Sequence, residues 1–417
     1  MTRRWWWPLG PYSILVPVVA IVAVVVGMTW PRFGWPYPLW VQTSAQFHQR
    51  FAFAGVIAGT AACWYATVLH AKDRIWVRPG APRLGAPAVA RHLTTLVCWF
   101  VGAYLVALCP LVVSTVVHDA VGTPDLLVMV SGVLAMIAAT ALGYAFGTVV
   151  PSIAAVPVVA IGFYALIITG NLTGEPMAAV TPYLWMEPSS GDRESVPLVV
   201  FRTALFVAVA VAAVWLAARA MTRMRVRCSL ADAAVCLAIP AVLVTIALVR
   251  PPVVYTSATP VPSCVERREI RYCVHQDNKP RLDDLVRVVD PFIARFGTKP
   301  SNVDEVWDDA LFPRFSYPVH GRETAGLEPD GTIWTDVTST LGGNSTCDWE
   351  GEGGYDDRMT RIAELESDVT YYLETGKPSG SLASMTVDEV QEWLAVHQKQ
   401  LHTCTLTVDQ LPGASVR

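Results

Sequence analysis

Charged residues are scarce in this chain of 417 residues: they make up 16% of the sequence, against roughly 25% in soluble globular proteins. The scarcity is concentrated in the first part. Up to Val249 there are 15 Lys and Arg and 8 Asp and Glu, a net charge of +7, whereas from Arg250 onward there are 16 and 27, a net charge of −11. An apolar, basic part followed by a polar, acidic part of 168 residues predicts two bodies in two different solvents.

Motifs of nucleotide, metal and catalytic sites are also missing. No G-x-x-x-x-G-K-[ST] sequence occurs, and the glycine-rich segments Leu341–Thr346 and Glu350–Asp357 are not followed by a lysine, so we expect no nucleotide-hydrolysing site. No H-E-x-x-H occurs, and His397 and His402 are five positions apart, which favours surface histidines over a zinc site. The acidic residues in and just before the second glycine-rich segment leave calcium open as an alternative to a solvated loop. We expect no enzyme activity of the chain's own, no resident metal or cofactor, and no nucleic-acid partner.

Long apolar runs fill the first part instead. A helix that crosses the hydrocarbon core of a bilayer needs about 20 predominantly apolar residues, and seven segments meet that requirement. They are Tyr12–Trp30, Phe51–His70, Leu93–Val117, Leu126–Val150, Ile153–Leu172, Val199–Ala218 and Leu230–Val249. Residues 1–250 are therefore predicted to form a polytopic α-helical membrane bundle of about seven spans, embedded in the lipid bilayer.

The placement of Lys and Arg predicts the orientation of the bundle. Arg3 and Arg4 precede the first span, and four arginines follow the sixth. The loop after the second span carries five basic residues: Lys72, Arg74, Arg78, Arg83 and Arg91. Because basic loops stay on the cytoplasmic side, we expect a cytoplasmic N-terminus in the plasma membrane. Seven crossings then place the residues after Arg250 outside the cell.

Few charged groups interrupt the spans. Arg202 is expected near the outer end of the sixth span, where it can extend to the interface, and Asp232 near the inner end of the seventh. With no acid or base expected at mid-depth, an ion-coupled transporter is disfavoured. Two G-x-x-x-G pairs, Gly55–Gly59 and Gly143–Gly147, predict close contacts between helices.

The second part is predicted to be an α+β extracytoplasmic domain, residues 264–417, after a Pro-rich linker, residues 251–263. Hydrophobic periodicity predicts two strands and three helices. They are the strands Glu269–His275 and Ile333–Val337 and the helices Pro280–Phe296, Asp356–Glu374 and Thr386–His402. Thr386 and Glu389 have the T-x-x-E spacing of a capping box.

Four of the nine cysteines lie in the second part: Cys264, Cys273, Cys347 and Cys404. An even number in a compartment expected to be oxidising predicts two disulfides. Three pairings are possible, and we favour Cys264–Cys273, which closes a short hairpin, with Cys347–Cys404. A metal site is the alternative, but no C-x-x-C spacing occurs.

The layout resembles the permease subunits of type-2 ABC exporters, in particular actinobacterial ones. The shared features are six spans with a cytoplasmic N-terminus, a long basic loop after the second span, and a tight turn between the fourth and fifth spans in GYAFGTVVPS (Gly143–Ser152). A Pro-interrupted fifth span and a longer outer loop before the sixth also match. The segment Arg268–Gly297 looks like an outer domain appended to such proteins. A seventh span departs from the minimal permease.

This resemblance implies a permease subunit of an ABC-type exporter that lacks its own ATPase. A separate ATPase would dock on the inner side, with the loop from Lys72 to Arg91 as the coupling surface. Two permease halves would form a homo- or heterodimer around the pathway. The alternative is a membrane-anchored receptor or scaffold whose outer domain binds a ligand or partner without transport.

Overall fold

The structure is a computed structural model that describes most of the chain. The described residues are 11–35, 38–69, 85–173, 180–181, 188, 190–222, 253–257, 261–312, 321–327, 333–343 and 357–412, with isolated positions between 238 and 249. The chain divides into two compact units, Met1–Ser257 and Ala258–Arg417. The division falls within the stretch that the sequence predicts as a linker.

The first unit, here called the membrane unit, is built of helices. They are α1 (Pro11–Thr29), α2 (Trp40–Gln49), α3 (Phe51–Leu69), α4 (Gly85–Val117), α5 (Leu126–Val149), α6 (Ala155–Thr173) and α7 (Val196–Thr222). By length and composition, six helical stretches of the described residues can cross a membrane, and they correspond to the first six predicted spans. The prediction of a helical membrane bundle is confirmed as far as the length and composition of the described helices show it. Most of the predicted seventh span, Leu230–Val249 with Asp232, lies outside the described residues.

Glycines bring α3 and α5 into backbone contact. A Cβ atom added at Gly143 would lie 2.0 Å from the carbonyl oxygen of Gly59, and one added at Gly147 would lie 2.3 Å from that of Cys63. The close contacts predicted from the glycine spacing are therefore present at three of the four positions. The fourth, Gly55, lies under the ring of Phe51 from its own helix. With no side chain in the way, dispersion contacts between the two helices stabilise the bundle.

Two helices of the membrane unit begin earlier than the sequence predicts. The second span is preceded by α2, and the two helices join at Arg50, so the apolar stretch runs over Trp40–Leu69. The fourth helix, α4, begins at Gly85, which places Arg91 inside a helix rather than in a loop. Periodicity missed α2 because its sequence, WVQTSAQFHQ, is mostly polar.

A small antiparallel pair of strands also belongs to the membrane unit. β1 (Asp192–Glu194) precedes α7, and β2 (Tyr255–Ser257) pairs with it, Glu194 lying opposite Tyr255. Residues 255–257 thus form a strand of this unit, although the sequence places them in a linker.

The second unit, here called the outer unit after the location that the sequence predicts for it, contains a five-stranded sheet with the order β3-β4-β5-β6-β7. The strands are β3 (Pro262–Arg267), β4 (Ile270–His275), β5 (Val303–Asp308), β6 (Gly321–Leu327) and β7 (Ile333–Thr335). The three central strands run parallel, and each edge strand is antiparallel to its neighbour. The helices are α8 (Leu282–Phe296), α9 (Val337–Gly342), α10 (Asp357–Thr375) and α11 (Val387–His402). One buried cluster joins the sheet to these helices.

The predicted elements of the outer unit agree with the observed ones to within two residues at each end. The capping box at the start of α11 is present, with the Thr386 backbone N–H donating to Glu389 Oε2 at 2.7 Å. The strands β5 and β6 and the short helix α9 were not predicted. A disulfide joins Cys264 in β3 to Cys273 in β4, which face each other across the hairpin. Cys404 is also disulfide-bonded, and Cys347, its predicted partner, lies outside the described residues.

Candidate functional site in the membrane unit

A buried ion pair lies where β1 leads into α7. Arg202 Nη1 donates to Glu194 Oε2 at 2.5 Å, and the two side chains are 2% and 5% exposed. Arg202 lies near the start of α7, where the sequence places it, and its guanidinium is buried against Glu194, eight positions earlier in the chain. Charged groups buried in a membrane protein cost several kcal/mol unless they are paired, and they commonly mark functional sites.

The strands β1 and β2 hold Glu194 in place. Pairing with Tyr255 fixes its backbone, and the next residue, Ser195, donates its backbone N–H to Val254 O at 3.0 Å. Burial raises the pKa of the Glu194 carboxyl, and the charge of Asp125 raises it further, while Arg202 acts in the opposite direction. The ionised form of Glu194, and with it the ion pair, therefore depends on Arg202 lying beside the carboxyl.

The polar helix α2 is buried against the connection between α4 and α5. Thr43 Oγ1 lies 2.7 Å from Thr115 Oγ1, and Ser44 Oγ accepts the backbone N–H of Asp125 at 2.9 Å. At the other end of the helix, the hydroxyl of Tyr104 donates to Phe47 O at 2.5 Å. These bonds help to explain why a helix with so few apolar residues packs inside an apolar unit: Thr43, Ser44 and the carbonyl of Phe47 find partners there.

His48 is a further buried side chain of α2, three positions before Phe51. It is 1% exposed, and its ring lies 6.3 Å from the ring of Phe51 and 5.9 Å from that of Phe206, centroid to centroid. Neither ring nitrogen has a hydrogen-bond partner among the described residues. Arg202 is close enough for its charge to act on the imidazole. An unbonded polar group at such a buried place is uncommon and costs free energy.

An apolar cavity of about 130 Å³ lies beside Phe51 and Phe206. Most of its walls come from α3, α5, α6 and α7. Besides the two phenylalanines, its principal wall residues are Gly55, Ala138, Ala139, Phe163, Ile167 and Leu205.

The cavity and the polar groups follow one another along two helices. On one side, His48 stands three positions before Phe51, and on α7, Arg202 stands four positions before Phe206. Residues three or four apart share a face of a helix and differ by about one turn, roughly 5 Å in height. On α7, Arg202 therefore lies about one turn from Phe206, with Glu194 bonded to it. His48, near the end of α2, packs on the rings of Phe51 and Phe206.

The site residues predicted from the sequence are the five basic residues of the possible ATPase-coupling loop. Arg91 lies exposed in α4, while Lys72, Arg74, Arg78 and Arg83 lie outside the described residues. The sequence prediction missed His48 and Glu194. The sequence signal that could have indicated this site was Arg202, because an arginine inside an apolar run needs a partner nearby.

Within the described parts of the chain, no group of three or more His, Cys, Asp or Glu side chains is placed to hold a metal ion. Comparison of the chain with protein-family models, curated proteins and solved structures finds no match.

Proposed function

We propose that this protein is the membrane-spanning subunit of an ABC-type exporter and works with a separate ATPase. The observation that supports a transport role over a purely anchoring one is the buried ion pair Glu194–Arg202. Apolar side chains alone suffice to hold a bundle in a bilayer, and replacing a buried ion pair with apolar groups is often neutral or stabilising. A pair that brings little net stability points to a role in handling a substrate.

The proposed arrangement places the N-terminus in the cytoplasm and the outer unit outside the cell, with the protein multi-pass in the plasma membrane. The distribution of Lys and Arg supports this orientation. The basic stretch from Lys72 to Arg91 would then face the cytoplasm, where an ATPase can dock. The disulfides at Cys264 and Cys404 are compatible with an oxidising compartment for the outer unit. A second permease copy, identical or related, would complete the pathway.

The test is whether an ATPase accompanies the protein. The full chain, tagged and expressed at native level in its own host, is purified in mild detergent, and co-purifying proteins are identified by mass spectrometry. We expect a P-loop ATPase in amounts comparable to the bait and ATP hydrolysis in the preparation. Reversing the charges of Lys72, Arg74, Arg78 and Arg83 should remove the ATPase from the complex.

The matched control is Arg193→Gln, which removes an exposed positive charge next to the buried pair. It should leave the amount of ATPase unchanged. If no ATPase accompanies the wild-type chain under conditions that preserve other membrane complexes, the exporter proposal fails. The receptor or scaffold alternative then takes its place.

A further inference from the structure

We infer that the membrane unit binds the end of a lipid hydrocarbon chain, which enters the cavity beside Phe51 and Phe206 sideways from the bilayer. This site goes beyond the proposed function, because a lipid chain can occupy the cavity whether or not an ATPase partner exists. Three properties of the cavity point to this occupant: its depth within the spans, its apolar walls, and its position at the outside of the unit.

The cavity lies near the middle of three spans. Among its wall residues, Ala138 is the thirteenth of 24 residues in α5, Phe163 the ninth of 19 in α6, and Phe206 the eleventh of 27 in α7. A spanning helix crosses a hydrocarbon core about 30 Å thick, so residues halfway along it lie near the midplane. The chains of the two lipid leaflets end there, and chain ends are therefore the groups that a bilayer offers at this depth.

The walls of the cavity suit a hydrocarbon chain. They are almost wholly apolar, and a cavity of that kind does not hold water. Its volume of about 130 Å³ is similar to the roughly 150 Å³ of a cavity that binds benzene, so it can hold about six carbons. Because lipid chains are as apolar as the walls, the binding free energy comes from dispersion contacts in a space that would otherwise be empty, not from transfer out of water.

One side of the cavity is also part of the outside of the unit. Leu142 in α5 and Leu166 in α6 both border the cavity, and they are 39% and 42% exposed. At this depth in a bilayer, the exposed surface of a spanning helix faces lipid. Ile167 and Phe206 also border the cavity but are only 5% and 6% exposed, so a lipid chain can contact them well only from inside the cavity.

The experiment locates the lipid contacts of the full-length protein in phosphatidylcholine vesicles. A small fraction of the lipid carries a diazirine on the last carbons of one chain, and a second probe carries it next to the ester. After irradiation, mass spectrometry identifies the labelled residues. We expect the chain-end probe to label Ile167 and Phe206 at least about threefold more than the second probe does, because the cavity lies near the midplane.

Two kinds of residue in α4 provide the reference for this labelling. Leu105 and Val106 are 42% and 66% exposed, and they report contact with bulk lipid. Leu108 in the same helix is fully buried and gives the background. Labelling of Ile167 and Phe206 is expressed relative to these two levels, so a general change in lipid access does not affect the result.

A variant that fills the cavity tests the position of the chain. Ala138→Phe adds a ring of the size of benzene to the wall and should lower the labelling of Ile167 and Phe206 at least about fivefold, without changing that of the exposed α4 positions. The matched control is Gly27→Phe, which adds the same ring to α1 at a position where a Cβ atom meets no atom within 4 Å. It should leave the labelling of Ile167 and Phe206 unchanged.

Three results would overturn the inference. They are labelling of Ile167 and Phe206 at the background level of Leu108, equal labelling of the two residues by both probes, and labelling in Ala138→Phe equal to that of the wild type. If Ala138→Phe does not yield folded protein, Ala138→Leu takes its place and must lower the labelling at least about twofold, because it fills part of the same space. The vesicles contain no ATPase, so the result is independent of the exporter proposal.

Discussion

Gly59 and Gly143 touch through their backbones, with the carbonyl oxygen of Gly59 occupying the place where a side chain at position 143 would begin. The pair is one of the backbone contacts of α3 and α5, two helices that also form walls of the cavity. Any side chain at position 143 must push the helices apart and so disturb both the packing and the site.

Gly143→Leu should therefore destabilise the membrane unit by about 3 kcal/mol or more, at the upper end of overpacking effects. The measurement is the thermal midpoint of the full chain in detergent, taken from the fraction that remains monodisperse in gel filtration after heating. Gly102→Leu is the matched control, because a Cβ atom at Gly102, in α4, meets no atom within 4 Å. Equal midpoints for the two variants would contradict the close contact of α3 and α5.

The ion pair Glu194–Arg202 allows stability and function to be separated. Removing one partner leaves a buried charge alone, so Arg202→Gln and Glu194→Gln should each destabilise the protein, by about 3–5 kcal/mol for the former. The double variant Glu194→Leu with Arg202→Met replaces both charges with apolar groups and should recover most of the loss. We expect this double variant to be stable yet inactive in export. The thermal midpoint measures its stability, and ATP hydrolysis in the purified complex measures its activity.

A double variant that is both stable and fully active would show that the pair has no part in function. The exposed neighbour Arg193→Gln controls for a general effect of charge and should match the wild type in both measurements.

We expect Glu366 in α10 to make the outer unit less stable at alkaline pH. Its side chain is fully buried, and burial raises the pKa of the carboxyl from 4.5 to about 8. Between these values the unfolded chain is ionised at this position while the folded chain is not, so stability falls as pH rises, by about 1.4 kcal/mol per pH unit. Glu366→Gln should remove this loss, giving slower hydrogen exchange in α10 than the wild type at pH 8 and little difference at pH 5.

The control for this prediction is Glu364→Gln, which removes an exposed carboxyl from the same helix. Exchange rates are compared after correction for the intrinsic effect of pH. A wild-type protein whose corrected protection in α10 does not change between pH 5 and pH 8 would contradict the assignment of a raised pKa to Glu366.

The hairpin of β3 and β4 turns through two residues in the left-handed region, Arg268 with φ 49° and Glu269 with φ 63°. Two-residue hairpin turns of this kind favour glycine and asparagine, since a side chain there is crowded by the backbone. Glu269→Gly should therefore stabilise the outer unit by about 0.5–1 kcal/mol. Glu266→Gly, in the regular part of β3, should destabilise it by a similar amount.

Hydrogen exchange of the β3–β4 amides in the full chain measures both changes. Arg268 is left unaltered because it forms an exposed ion pair with Asp290 at 3.3 Å. If both glycine variants weaken protection to the same degree, the turn does not have the left-handed geometry.

The sequence predicts the features of this protein that depend on local pattern. Six apolar spans, the G-x-x-x-G contact of α3 and α5 and the capping box at Thr386 all follow from spacing along one or two helices. These features need no knowledge of distant partners, because bilayer thickness and helix geometry determine them.

The site depends on partners that are far apart in the chain, and for that reason the sequence did not predict it. The helix α2 is polar by composition, and its burial depends on bonds such as Thr43 with Thr115, 72 positions away. Glu194 lies in β1, whose partner strand β2 is more than 50 residues later. The strands β5 and β6 were missed for a related reason: they are parallel neighbours whose pairing is non-local.

The core of the outer unit draws on both ends of its sequence. Ile270 in β4 and Leu401 in α11 belong to the same buried cluster, and the central parallel strands pair only after long connections have closed. During synthesis, the first strands must therefore wait for the last helix before their apolar faces are covered. A ribosome that stops before about residue 400 would release a chain whose outer unit keeps those faces exposed, a ready substrate for quality-control proteases.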